Sequence, residues 1–159
     1  MKAAGKTGAD EHQRFMRIAL QMAERGLAAG GAPVGACLVH EGVVVSKAQN
    51  AVVANLDVTA HAEVVVIRKA CRVLQSLQLA NCTLYVSVEP CAMCFAASHY
   101  AGISEIVFAA DIETMQALTG NELSASPAHF GTTTDLPRLT GGVLQDESLR
   151  LLQSWTPAK

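Results

Sequence analysis

Residues 82–94 read CTLYVSVEPCAMC, and this stretch decides the fold. Its first half is mostly apolar, which is typical of a buried strand in the middle of a sheet. Pro90 and two cysteines follow, and proline is favoured just ahead of a helix or in its first turn. The stretch therefore predicts a central strand over 82–88 and a short helix over 91–100, with the cysteine pair at their junction.

Helix and strand patterns alternate on both sides of this stretch. A capping box at Asp10 and Gln13 predicts the start of a first helix, whose apolar side chains repeat at helical spacing until glycines end it at 26–31. The other predicted elements are strands over 34–39, 43–48 and 106–110, a loop over 50–59, a helix over 60–74, a helical turn over 115–118, an edge strand over 139–144 and a last helix reaching Trp155. This order predicts one α/β domain over 1–159, a three-layer α-β-α sandwich with a mixed central sheet. Residues from about 123 to 159 form its variable C-terminal segment.

Two short clusters carry residues that bind metals. His61 and Glu63 lie at the start of one predicted helix, and Cys91 and Cys94 lie at the start of another. One imidazole and two thiolates suit zinc, and three protein ligands leave the fourth tetrahedral position open, as catalytic zinc sites do. Helix N-termini also favour thiolates. The sequence therefore predicts one Zn²⁺ per chain.

Glu63 follows His61 by two residues and need not be a ligand. Zinc with two thiolates is formally neutral, so it acidifies water less than zinc bound by three imidazoles. A carboxylate that takes the proton from water offsets this weakness. We therefore interpret Glu63 as the catalytic proton shuttle.

His-x-Glu followed by Pro-Cys-x-x-Cys is the signature of zinc nucleobase and nucleoside deaminases. Residues 32–110 resemble the cytidine deaminase-like family, in its nucleobase and tRNA-adenosine branch, and most of all bacterial guanine deaminases. The resemblance is carried by APVGA at 32–36, Asn50, TAHAE at 59–63 and LYVSVEPCAMC at 84–94.

This resemblance implies a role for each matching residue. It implies that His61, Cys91 and Cys94 bind zinc and that Glu63 moves protons. Asn50 would hydrogen-bond the base, and the backbone N–H groups of Ala62 and Cys91 would lie near the attacked carbon. The resemblance also implies a homodimer.

The identity of the base depends on weaker signals. Glu122 falls where guanine deaminases carry an acidic residue, and a carboxylate accepts hydrogen bonds from the N1–H and N2–H groups of guanine. Thr119-Gly120 and Asn121 depart from the guanine-type segment, and Val34 replaces a frequent phenylalanine. A triazine such as ammeline, or cytosine, stays open as the substrate.

The main alternative is deamination of adenosine in tRNA, since residues 32–63 resemble that group equally well. Phosphate binding requires Lys and Arg, and residues 73–137 contain neither. Arg68, Lys69 and Arg72 form a basic patch that we interpret as a solvated helix face. We therefore favour a small base over nucleic acid. A catalytically silent zinc module is a third possibility, and Glu63 argues against it because such a module has no use for that carboxylate.

The remaining features bear on location and on the C-terminal segment. The sequence shows neither an apolar secretory signal at its start nor a run of about 18 apolar residues. Its five cysteines suit metal binding or packing. We therefore expect a cytoplasmic protein without a membrane span. Trp155 could close the pocket, but we favour packing of the last helix. We expect His99 and His129 to lie on the surface or to be packed, and the C-terminal segment could cover its own site or a neighbour's.

Overall fold

The computed structural model describes residues 8–120 and 135–155, which form helices around one sheet. In chain order the elements are α1 (Gly8–Ala28), β1 (Gly35–His40), β2 (Val43–Gln49), α2 (Val52–Asn55), α3 (Ala62–Leu74), β3 (Cys82–Val88), α4 (Ala92–Tyr100), β4 (Glu105–Ala110), α5 (Ile112–Thr119), β5 (Arg138–Thr140) and α6 (Gln145–Gln153). Every helix among the described residues is too short or too polar to cross a bilayer.

The sheet is mixed, with the strand order β2-β1-β3-β4-β5. β1 pairs antiparallel with β2 and β3, whereas β3, β4 and β5 run parallel. The predicted central strand is confirmed with the bounds Cys82–Val88, and all but one of its residues are buried. The carboxyl ends of β3 and β4 therefore lie side by side, where Val88 pairs with Ala110.

Helices cover both faces of this sheet, which confirms the predicted sandwich. On one face α1 packs against β1 through Phe15, Cys37 and Val39, and α6 lies beside it. On the other face α3 and α4 bury Leu38, Leu84 and neighbouring apolar side chains. Alternate residues of each strand thus enter different cores, as the period of two requires.

Gly35 explains how closely α1 approaches β1. A Cβ atom at this position would overlap the backbone of Ala19 and Ala23, so only glycine lets the helix lie this near the strand. The close contact therefore holds α1 against the first residue of β1.

Some predicted boundaries are wrong for local reasons. Asp10 and Gln13 lie inside α1, which is described from Gly8, so they form no capping box. The predicted loop over 50–59 contains α2, and the last strand ends at Thr140 because two glycines follow it. The predicted turn over 115–118 is the longer helix α5, since the Asp111 carboxylate accepts a hydrogen bond from the Thr114 N–H at 2.7 Å and caps it.

Candidate active site

The two predicted ligand clusters occupy equivalent places in the fold. His61 is the N-cap residue of α3 and Cys91 is the N-cap residue of α4, and both have extended backbone there. Cys94 lies in the first turn of α4, one turn along from Cys91. Because α3 and α4 pack on the same face of the sheet, their N-termini meet.

The three side chains form a ready metal site. The Nδ1 atom of His61 lies 3.7 Å from the Cys91 sulfur and 3.5 Å from the Cys94 sulfur. Bonds of about 2.3 Å to sulfur and about 2.0 Å to nitrogen would place tetrahedral zinc ligands about 3.6 Å apart. Within the described residues, no other group of His, Cys, Asp or Glu side chains is close enough to hold an ion. The observed spacing therefore fits zinc.

The electrostatics of the cluster favour a metal cation. A hydrogen bond from the Cys94 thiol, with His61 contributing, lowers the pKa of Cys91 to about 4 in spite of burial. The same contact and burial raise the pKa of Cys94, and the hydrogen bond to Cys91 raises the pKa of His61. The cysteine pair thus favours a deprotonated sulfur, which is the form that binds a metal cation.

Glu63 lies on the first turn of α3, is 3% exposed and faces the cavity beside the ligands. Its Oε2 is the one buried side-chain oxygen or nitrogen of the described residues without a hydrogen-bond partner. Buried polar atoms nearly always have a hydrogen-bond partner. This oxygen is therefore suited to accept a hydrogen bond from a donor outside the chain, such as water or substrate. Burial raises the pKa of Glu63 to about 7.

A cavity of about 810 Å³ opens in front of these groups. Its floor contains His61, Glu63 and Cys91, and its walls come from the α2 region, α5 and α6. The wall residues are mainly apolar, as in sites for small molecules. The residues of these walls are Val52, Val53 and Val58, then Ile112, Met115, Thr119 and Gly120, then Leu152 and Trp155.

Asn50 also lines this cavity, as the resemblance implies for a base-binding residue. Its backbone N–H donates to the Val34 carbonyl at 2.9 Å, and its Oδ1 accepts from the Val52 N–H at 3.1 Å. This arrangement fixes the amide group of Asn50 at the cavity wall. Ala62 is the first residue of α3, so its N–H is one of those that have no partner within the helix.

The C-terminal helix covers the cavity of its own chain. The Ser148 hydroxyl donates to the carbonyl of Ser87 at the end of β3, and Leu152 is almost fully buried. Trp155 lines the cavity, which fits the alternative that it closes the pocket, while the packing of the last helix by its ring stays a prediction. His99 is exposed at the end of α4, as expected.

Glu122 and His129 lie outside the described residues, and the role predicted for Glu122 stays a prediction. Sequence reasoning missed Glu89, which lines the cavity and accepts a hydrogen bond from the Ile112 N–H at 3.0 Å. The available signal was an acidic residue directly before the Pro-Cys pair. The residue that donates a hydrogen bond to it, Ile112, follows a different strand, β4, so the sequence did not link the two.

Fold and ligand set together define a zinc-binding domain of the deaminase class. Residues 9–110 match the family described as the cytidine and deoxycytidylate deaminase zinc-binding region. The chain belongs to this family, whose domain binds zinc, and His61, Cys91 and Cys94 form a site in this structure that could hold one ion.

Relatives with two different substrates are similar to this chain. It is 45% identical over 101 residues to guanine deaminase from Bacillus subtilis (strain 168), a match that covers 63% of this chain and only 65% of that protein. It is 33% identical over 152 residues to a tRNA-specific adenosine deaminase from Buchnera aphidicola subsp. Baizongia pistaciae, covering 94% and 91% of the two chains. A structure of guanine deaminase from Nitrosomonas europaea superposes with a TM-score of 0.79 at 28% identity, covering 88% of this chain and 81% of that one.

Proposed function

We propose that this protein is a hydrolytic deaminase of a free nucleobase, with guanine as its substrate and xanthine and ammonia as products. One observation carries the proposal: the buried, unpartnered Oε2 of Glu63 faces a cavity beside the zinc ligands. A base bound there meets both a proton acceptor and a Lewis acid.

The reaction needs a water molecule, a route for its proton and a leaving amino group. When bound, zinc acts as a Lewis acid that makes water easier to deprotonate. The Glu63 carboxylate takes the proton while the water oxygen bonds to C2 of guanine. Glu63 delivers this proton to the ring nitrogen N3, then takes the second proton of the former water and delivers it to the amino group, so that the C2–N2 bond breaks, ammonia leaves and the C2 carbonyl of xanthine forms. In the metal-free site burial raises the pKa of Glu63 to about 7, so this carboxyl group is one that readily accepts and donates a proton.

The shape and charge of the cavity support a small substrate. Its described lining residues include neither lysine nor arginine, while Glu63 and Glu89 are both acidic. A tRNA substrate would bring phosphates to this opening, and phosphate binding depends on cationic side chains. Trp155 adds a flat apolar surface on which a planar base can stack.

Deamination of adenosine in tRNA is the second candidate, and a specific observation favours it. The Buchnera relative matches nearly the whole of this chain, including its C-terminal segment, whereas the Bacillus guanine deaminase matches 63% of it. Arg68 and Lys69 on α3 are exposed cations that could meet RNA. The zinc ligands and Glu63 would serve both substrates in the same way.

Ammonia release from zinc-loaded protein distinguishes these candidates. The panel contains guanine, ammeline, cytosine, adenine, their nucleosides and a tRNA anticodon stem-loop. Turnover of guanine that falls sharply in Glu122→Ala supports the guanine proposal and the role predicted for Glu122. Activity on the stem-loop alone refutes the free-base proposal, and activity on cytosine alone retains the zinc chemistry but rejects guanine.

A homodimer and a cytoplasmic location remain predictions. Exposed apolar side chains at Val53, Leu56 and Val58, close to the cavity, support an interface because water contact there is unfavourable. Light scattering coupled to size-exclusion chromatography tests the dimer, and a monomeric mass across the micromolar range would refute it.

A further inference from the structure

Glu89 joins two parts of the active site that are far apart in the sequence. It lies directly after β3, two residues before the zinc ligand Cys91. Its backbone N–H donates to the Ala110 carbonyl at 2.7 Å, and its Oε2 accepts from the Ile112 N–H at 3.0 Å. Both bonds connect the metal-binding loop to the segment between β4 and α5.

That segment determines where α5 begins, and α5 is one wall of the substrate cavity. Ile112, Met115 and Thr119 on this helix all line the cavity. The Ile112 N–H belongs to the first residue of α5, so it has no partner within the helix. The Glu89 carboxylate supplies that partner, and its charge is favoured at a helix N-terminus.

A second carboxylate at the same helix end performs a different task. Asp111 accepts hydrogen bonds from the N–H and the hydroxyl of Thr114, so it stabilises α5 from within its own segment. Glu89 reaches the helix from the metal-binding loop. Removing the Asp111 carboxylate weakens the helix, whereas removing the Glu89 carboxylate breaks the hydrogen bond between the first residue of the helix and the metal-binding loop and leaves the backbone bond to Ala110 in place.

We propose that Glu89 is a positioning residue that sets the distance between the α5 wall and the zinc ligands, and thereby places the substrate ring over the reacting centre. This inference rests on the proposed function. Since the wall contacts the ring before and during the reaction, its displacement weakens ground-state and transition-state binding together. Such a change raises KM more than it lowers kcat.

The test compares Glu89→Ala, Glu89→Gln and Asp111→Ala with the wild type, using the base that the wild type deaminates. Glu89→Ala should raise KM roughly tenfold, since binding in the ground state and in the transition state is weakened together, with kcat per bound zinc changed only a few-fold. Glu89→Gln keeps an acceptor oxygen and should restore most of the affinity. Asp111→Ala should lower the melting temperature while KM stays at the wild-type value.

A purely structural role for Glu89 gives a different pattern. Loss of folded protein lowers kcat per chain and zinc content together and leaves KM unchanged, and that result in Glu89→Ala overturns the proposal. An equal rise of KM in Asp111→Ala also overturns it, because the link to the metal-binding loop would then have no special role.

Failure of the proposed function is recognised separately, since the wild type would then leave guanine unchanged, and where it deaminates no base at all a further measurement is needed. Hydrogen exchange of the zinc-loaded protein tests the link in that case. Faster exchange of the Ile112 amide in Glu89→Ala than in Asp111→Ala supports it, and equal exchange in wild type and Glu89→Ala overturns it.

Discussion

Replacing Glu63 by glutamine should abolish turnover and also stabilise the metal-free protein at alkaline pH. Loss of a general acid and base typically costs 10²–10⁴-fold in rate, or about 3–5 kcal/mol in activation free energy. The stability effect follows from the pKa of Glu63, which burial raises from 4.5 to about 7. Since a tenfold change in an equilibrium constant corresponds to about 1.4 kcal/mol, ionised Glu63 costs the folded protein about 3 kcal/mol.

The direction of the pH dependence is fixed by that shift. The carboxyl group is more easily ionised in the unfolded chain, so the wild type loses stability as pH rises from about 4.5 to about 7. Glutamine carries no charge and escapes this loss. The stability difference between Glu63→Gln and wild type should therefore grow by roughly 2 kcal/mol between about pH 5 and about pH 8.

Guanidinium denaturation of chelator-treated wild type and Glu63→Gln at both pH values measures this difference. Exposed Glu24 on α1 provides the matched control, Glu24→Gln, for the loss of one carboxylate. A difference that does not change with pH would contradict the assigned cost of burying the charge. Wild-type turnover by zinc-loaded Glu63→Gln would refute the proton-shuttle role.

Three further predictions concern the metal and the scaffold. Cys91→Ser should lose tightly bound zinc and all turnover, because a hydroxyl is a poor zinc ligand; metal analysis after dialysis checks this, and a full equivalent of zinc would contradict it. Asp111→Ala should destabilise the protein by about 1 kcal/mol at neutral pH. That loss should shrink in acid, since hydrogen bonds from Thr114 lower the pKa of Asp111 and its contribution disappears as the carboxylate is protonated; thermal melts at several pH values test both statements. Gly35→Ala should destabilise by about 2 kcal/mol or more, because its Cβ overlaps the backbone of α1; an unchanged melting temperature would show that the helix can shift without cost.

The zinc ligands were predictable because their chemistry is local. The pair Cys91 and Cys94 lies within one helical turn, and His61 stands at the start of a clearly patterned helix. Residue type and spacing therefore sufficed to predict one cluster. In the structure the potential ligand atoms of the three side chains lie within 4.8 Å of one another. The central strand was equally clear, since an apolar run of that length suits a sheet that is buried on both faces.

The features that sequence reasoning missed depend on distant contacts. The partner of Glu89 follows from the parallel register of β3 with β4, in which Val88 faces Ala110. Trp155 reaches the cavity because Ser148 attaches α6 to the end of β3. Helix α2 has only four residues, begins where Asn50 accepts a hydrogen bond from Val52, and carries no periodic apolar pattern.

The placement of the ligands on two separate helix caps has a consequence for how the enzyme acquires its metal. In the unfolded chain, His61 is far along the sequence from the cysteine pair, so gathering all three around an ion carries the entropy cost of closing a long loop. Packing of α3 and α4 on one face of the sheet removes that cost. Maturation should accordingly follow an order in which the sheet and both helices assemble first and high-affinity metal capture comes last. The zinc content of a preparation that has met no chelator is then a lower bound on the fraction of molecules that have completed folding.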